Sequence, residues 1–135
     1  MSSIQSTLRR LLAVVALVAA SLLGSVANAG GIAPYTAEAY GQALQSGAPV
    51  LLQVHAEWCP TCRAQAPVVK SLVNDPKYAN VTVLVVDFDR QKDVRKQFNV
   101  SRQSTLVLFA GGQEVARATG ITSKGDIGAL LDKAL

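Results

Sequence analysis

Cysteine and histidine are scarce: two cysteines, Cys59 and Cys62, and one histidine, His55, among 135 residues. Three such side chains cannot build the four-ligand Cys/His cage that a structural zinc ion takes. Nor can cysteines three positions apart staple a fold, because their disulfide closes too short a loop to restrain the chain. A functional use of the pair is therefore favoured over a structural one. Excess charge is lacking too. Once Arg9 and Arg10 are set aside, 11 Lys+Arg face 9 Asp+Glu, a net charge of +2 over residues 30–135 that gives no footprint for nucleic acid. The apolar run from Leu11 to Leu23 is about 13 residues, short of the roughly 20 that a membrane-spanning helix needs. Repeats and low-complexity stretches are absent, and the last of the five prolines is Pro76.

The N-terminus reads as a secretory signal: Arg9 and Arg10, then the apolar run, then Ala27-Asn28-Ala29, small residues of the kind a signal peptidase cuts after. Cleavage would leave Gly30 as the mature N-terminus in the periplasm, with no stable membrane insertion. Leu8 before the arginine pair favours ordinary secretion over the twin-arginine route. Residues 30–135 suffice for one domain with a single core, expected to be monomeric.

Hydrophobic periodicity gives the order of elements. Thr36 caps a helix over 37–45, with Ala39, Tyr40, Ala43 and Leu44 inward, and Ser46-Gly47 stops it. The nearly continuous apolar runs 50–56 and 81–87 suit strands covered on both faces. Between them a helix runs from Pro60 to about Val73, with Pro67 inside as an expected kink. A short helix with a solvated charged face follows at 91–97. Thr105–Phe109 and Glu114–Ala118 form a closing hairpin around Gly111-Gly112. Ser123 opens a last helix to Leu135, with Ile127, Leu130, Leu131 and Leu135 in one stripe. Residues 30–35 make a poor strand, so a leading edge strand is expected to be missing. The pattern is α/β, a three-layer α/β/α sandwich on a mixed sheet, ending in a β-hairpin and a helix.

Glu57-Trp58-Cys59-Pro60-Thr61-Cys62-Arg63 falls where an apolar strand gives way to a helix. Cys59 would then cap that helix, its sulfur among free backbone N–H groups that stabilise a thiolate. Cys62, almost one turn on, can attack a mixed disulfide formed at Cys59 and release the substrate. Cys59 is the nucleophile, the more exposed and more acidic thiol, and Cys62 resolves. No flavin or nucleotide motif accompanies them, so no cofactor is implied.

These residues resemble the thioredoxin superfamily over nearly all of 34–135. Ala56-Glu57-Trp58-Cys59 matches the approach to the active site, Pro67 the helix proline five residues past the second cysteine, and Phe98, Thr105–Phe109 and Gly120 continue the match. Cys-Pro-Thr-Cys is similar to the motif of exported thioredoxin-like reductants. The resemblance implies thiol-disulfide exchange with protein substrates, an upstream electron donor, and a substrate surface made by Trp58, Pro60, Thr61, Gln103, Ser104 and Thr105.

The chain also departs from that pattern. The cis proline that thioredoxins place opposite the cysteines corresponds to Ser104. A cis bond before serine would cost about 3–4 kcal/mol, so the Gln103–Ser104 bond is either trans in a rearranged loop or held cis by tertiary contacts. Ser104 could instead set a hydroxyl beside the sulfurs. The family's buried acid is Gln53 here and its facing lysine Val85, a self-consistent neutral core that lacks a general base for Cys62. Gln53 could equally serve backbone groups. His55 and Asp89 stand where an indole and its carboxylate acceptor often pair, which makes a His55–Asp89 contact plausible.

The reading is a periplasmic thiol-disulfide oxidoreductase, reductant favoured over oxidant. One alternative is a module holding a soft metal such as Cu(I) on the two cysteines. The other is a non-catalytic domain that binds partners through the groove.

Overall fold

The computed structural model describes residues 30–135. The expected leader and its cleavage site lie outside the described residues. Strands β1 (Gly31–Pro34), β2 (Val50–His55), β3 (Thr82–Asp87), β4 (Thr105–Ala110) and β5 (Gln113–Thr119) alternate with helices α1 (Ala37–Gln45), α2 (Pro60–Val73), α3 (Lys92–Gln97) and α4 (Lys124–Leu131). They form one five-stranded sheet in the order β1-β3-β2-β4-β5. β3 runs parallel to both β1 and β2, while β4 is antiparallel to β2 and β5.

Strand alternation explains why the central runs are apolar throughout. Val50, Leu52 and Val54 of β2 join Leu84, Val86, Val107 and Phe109 in a core under α1 and α3. Leu51 points the other way, with Val83, Leu106 and Leu108, into a core closed by Val69, Leu72, Ile127 and Leu131 of α2 and α4. Both faces of β2, β3 and β4 are covered, as the composition of those strands requires.

The leading edge strand is present, contrary to the sequence expectation. β1 pairs with β3 from Gly31↔Thr82 to Pro34↔Val85, and the Tyr35 N–H extends the ladder to the Val85 carbonyl at 2.8 Å. All four residues are exposed, so the strand carries no apolar alternation to read, and an edge tolerates Pro34 because only one side needs donors. The last helix also ends early. After Leu131 the chain tightens into a 3₁₀ turn over Asp132–Ala134, which takes Leu135 off the apolar stripe and leaves it exposed.

Local signals account for the remaining junctions. The Thr36 hydroxyl accepts the Ala39 N–H at 2.9 Å, and Ser123 Oγ accepts that of Asp126 at 3.0 Å, so both caps form as read. Gly111 and Gly112 both have positive φ, 57° and 77°, the geometry that a tight hairpin turn demands. α2 continues through Pro67.

Candidate active site

β2 ends at His55, and the turn over 56–58 delivers Cys59 to the start of α2, where the Cys59 N–H donates to the Ala56 carbonyl at 3.1 Å. Cys59 is the N-cap of α2: its Sγ accepts the Cys62 N–H at 3.2 Å, with Pro60 in the first turn where a missing N–H costs nothing. A cap that would ordinarily be a hydroxyl is thus a thiol, and a thiolate accepts that N–H better.

Ser104 completes the site from the loop before β4. All peptide bonds among the described residues are trans, and Ser104 instead takes a left-handed conformation, φ 58°. That costs a non-glycine residue about 1 kcal/mol. The conformation is held from three sides. The Ser104 N–H donates to the Val54 carbonyl at 2.9 Å, and its own carbonyl accepts the Gly120 N–H at 2.9 Å and Gln65 Nε2 at 3.2 Å. Arg117 of β5 anchors the start of the same loop through the Phe98 and Asn99 carbonyls, at 2.7 and 3.0 Å. The result is a hydroxyl aimed at the cysteines, with Oγ 3.2 Å from both Cys59 Sγ and Cys62 Sγ.

Both thiols are free, and they differ in acidity rather than in exposure, which is 2% for Cys59 and 0% for Cys62. The expected difference in exposure is therefore almost nil: Cys59 packs with Ala56, Cys62 and Phe88, and the Ser104 hydroxyl touches both sulfurs. Burial pushes the Cys59 thiol up, but hydrogen bonds from Cys62, from the Ser104 hydroxyl and from the Cys62 and Thr61 backbone outweigh it, so Cys59 is more acidic than an ordinary thiol. Cys62 is less acidic: burial and its hydrogen bond to Cys59 raise it beyond what Ser104 and the Ala56 backbone recover. At neutral pH Cys59 is the better nucleophile, and Cys62 keeps its proton until it is needed.

The other residues singled out in the sequence divide. Trp58 is 57% exposed beside Cys59, and Pro60 is exposed with it. Thr61 and Gln103 are partly buried. Thr105 is buried, its hydroxyl donating to the Arg102 carbonyl at 2.7 Å and meeting the Thr119 hydroxyl at 2.9 Å, so it joins β4 to β5.

The expected His55–Asp89 contact is replaced by two others. Trp58 Nε1 donates to Asp89 Oδ2 at 2.9 Å, while His55 Nε2 lies 3.4 Å from Glu57 Oε1. The indole is held further by an edge-on contact with Phe88, centroids 6.4 Å apart, and the Arg95 guanidinium covers Phe88 at 3.9 Å. Sequence order hid this exchange of partners, because the indole adjoining Cys59 reaches the carboxylate that the strand histidine was expected to meet. Gln53 is buried and lines a cavity of about 340 Å³ with Lys70 and Pro67, its Nε2 without a hydrogen-bond partner, so it does not serve backbone groups through that nitrogen.

Gln65 escaped the sequence reading. Fully buried, it spans from α2 to the Ser104 carbonyl and to that of Ile121, at 3.2 and 2.9 Å. The available signal was a polar residue in the stripe Cys62-Gln65-Val69-Leu72, where an apolar one would otherwise stand.

Against known proteins, the thioredoxin family model matches residues 31–133. The chain belongs to the thioredoxin family. It is 35% identical over 96 residues to a thioredoxin of Chlamydia trachomatis, covering 71% of this chain and 91% of that protein. A thioredoxin of Chlamydia muridarum is 38% identical over 84 residues, covering 62% and 80%. The crystal structure of Trxlp from Edwardsiella tarda is 44% identical, covers 75% of this chain and 98% of that one, and superposes with a TM-score of 0.73. With its Cys59–Cys62 pair on the thioredoxin fold, the chain is a thiol-disulfide oxidoreductase. Among thioredoxin features, the active-site helix and the exposed tryptophan are retained here, and the loop proline is replaced by a trans serine that touches both sulfurs.

Proposed function

We infer that this member of the thioredoxin family works outside the cytoplasm as a monomeric reductant of protein disulfides, recharged by an upstream dithiol donor. Cys59 attacks a substrate disulfide, and Cys62 displaces the reduced product, leaving a Cys59–Cys62 disulfide. The observation that carries the direction is the set of groups acting on Cys59. All are neutral: the Cys62 thiol, the Ser104 hydroxyl and backbone N–H groups. A strong oxidant owes its potential to a deeply stabilised thiolate, and with no cationic side chain among the groups acting on Cys59 one source of such stabilisation is missing, which favours the reductant. The compartment is supported by Arg9-Arg10, the apolar run and Ala27-Asn28-Ala29.

Equilibration with glutathione redox buffers tests the direction. A two-electron potential below about −230 mV supports a reductant, and one near the −120 mV of strong oxidants overturns it. N-terminal sequencing of the protein recovered from the periplasmic fraction should begin at Gly30; an intact leader on cytoplasmic protein would contradict export. The alternatives have their own signatures. A copper module would bind Cu(I) anaerobically without exchanging disulfides, and a partner-binding domain would keep its activity in the Cys59→Ser, Cys62→Ser double variant.

A further inference from the structure

Thiol-disulfide exchange puts negative charge on two sulfurs in turn. Cys59 bears it in the dithiol. Once Cys59 is tied up in the mixed disulfide, Cys62 must become the thiolate in order to attack. This chain gives Cys62 little help from titratable neighbours: besides Cys59, the groups acting on it are the Ser104 hydroxyl and the Ala56 backbone, with no carboxylate or imidazole to take its proton. Cys62 is also fully buried. Ser104 Oγ, in contrast, is equidistant from the two sulfurs at 3.2 Å. A hydroxyl has one hydrogen and rotates about a single bond, so it donates to whichever neighbour is more negative without any movement of the backbone. Its anchor is rigid: the Ser104 peptide is bonded at both ends, to Val54, Gly120 and Gln65, which leaves that rotation as the free coordinate.

We propose that the Ser104 hydroxyl is a shared, switching donor: it serves the Cys59 thiolate in the dithiol and turns to Cys62 when Cys59 enters the mixed disulfide. Ser104 is then a catalytic residue for both halves of the exchange, a role that rests on the disulfide-exchange reading above. In the second half, Cys62 gives its proton to solvent and its thiolate accepts a hydrogen bond from the Ser104 hydroxyl, which keeps its hydrogen. Cys62 Sγ bonds to Cys59 Sγ as the bond from Cys59 to the substrate sulfur breaks. The departing sulfur takes that electron pair and a proton from solvent, so the substrate disulfide gains two electrons and the protein dithiol loses two. A loop proline could not do this, having no hydroxyl.

The test uses single-cysteine proteins, each isolating one thiolate. In Cys62→Ala, replacing Ser104 by glycine, which adopts the positive φ freely, should move the titration of the Cys59 thiolate, read by its ultraviolet absorbance, upward by about one pH unit. In Cys59→Ala, where the competing thiolate is gone, Ser104→Gly should move the titration of Cys62 upward by a similar amount. With both cysteines present, Cys59 blocked as its methyl disulfide should be resolved by Cys62 about tenfold more slowly in Ser104→Gly than in wild type. Ser104→Ala provides the same comparisons if the glycine variant folds poorly. A Cys62 titration that moves by less than about 0.3 pH unit, or that moves alone with Cys59 unaffected, would overturn the shared donor. The titrations need no substrate. Loss of protein-disulfide turnover in wild type would therefore defeat the functional reading while leaving these comparisons to decide the role of Ser104.

Discussion

Gln65 Nε2 lies 3.2 Å from the carbonyl of Ser104, a bond that ties the helix carrying both cysteines to the loop that faces them. The same nitrogen reaches the Ile121 carbonyl in the adjoining loop after β5, so one buried amide fixes two loops to α2.

Gln65→Met, close in shape but unable to donate, should therefore destabilise the reduced protein by about 1–2 kcal/mol, because the part-buried Ile121 carbonyl loses its amide donor while the Ser104 carbonyl keeps that of Gly120. Chemical denaturation measures this. A loss below about 0.5 kcal/mol would mean that the bonds from Gln65 are not needed to hold the loops.

Ser104→Pro should be strongly destabilising, by about 3 kcal/mol or more, although proline is what the family pattern would put there. Proline cannot adopt φ 58°, and it would remove the N–H that donates to the Val54 carbonyl. Ser104→Gly keeps both the conformation and the N–H, and should cost less. Thermal melts of the two variants, reduced, should rank glycine well above proline; the reverse order would contradict the loop conformation described here.

The acidity split predicts a pH signature in the reduced state. Cys59 is lowered in the folded protein, so its contribution to stability is present above the ordinary thiol value near 8.5 and fades as pH falls through its folded value. Cys62 is raised, so its contribution is present below that value and is lost as pH rises through its folded value. Stability relative to Cys59→Ser should climb from mildly acidic pH toward about pH 8.5. Relative to Cys62→Ser it should decline above that. Anaerobic denaturation across pH 5–10 checks both signs, and a flat Cys59 difference would contradict the lowered thiol.

Much of this was legible in the sequence because it depends on local chemistry. The Thr36 and Ser123 caps, the two-glycine turn and the apolar central strands all carry their cause in a few adjacent residues. Cys59 at the start of α2 followed from a strand meeting a helix at that motif. β1 was not legible, because an exposed edge is held by backbone pairing with β3, which leaves no side-chain pattern. Ser104 could be identified as the departure, but its left-handed backbone depends on Val54, Gly120 and Gln65, which lie far from it along the chain. Trp58 and Asp89 likewise meet across 31 positions of sequence. Gln65 was hidden in the same way, its partners lying 39 and 56 positions along the chain, and was visible only as a polar residue in an apolar stripe.

Trp58 is the single tryptophan, so its fluorescence reports on the site without labelling. Asp89→Ala removes the acceptor of the indole N–H and leaves the ring held by Phe88 alone. Emission anisotropy should fall, and the intensity change between dithiol and disulfide forms should shrink, with Cys59 alkylation altered less than twofold. Unchanged anisotropy would show that the 2.9 Å bond does not orient the indole in solution.

The most direct test of disulfide exchange at Cys59 and Cys62 is mass spectrometry of the Cys62→Ala protein after brief exposure to a disulfide-bonded polypeptide such as insulin. A covalent adduct on Cys59 should accumulate and be released by dithiothreitol, while wild type under the same conditions yields free insulin chains and an internal Cys59–Cys62 disulfide. Absence of the Cys59 adduct together with unreduced insulin in the wild-type reaction would contradict the account.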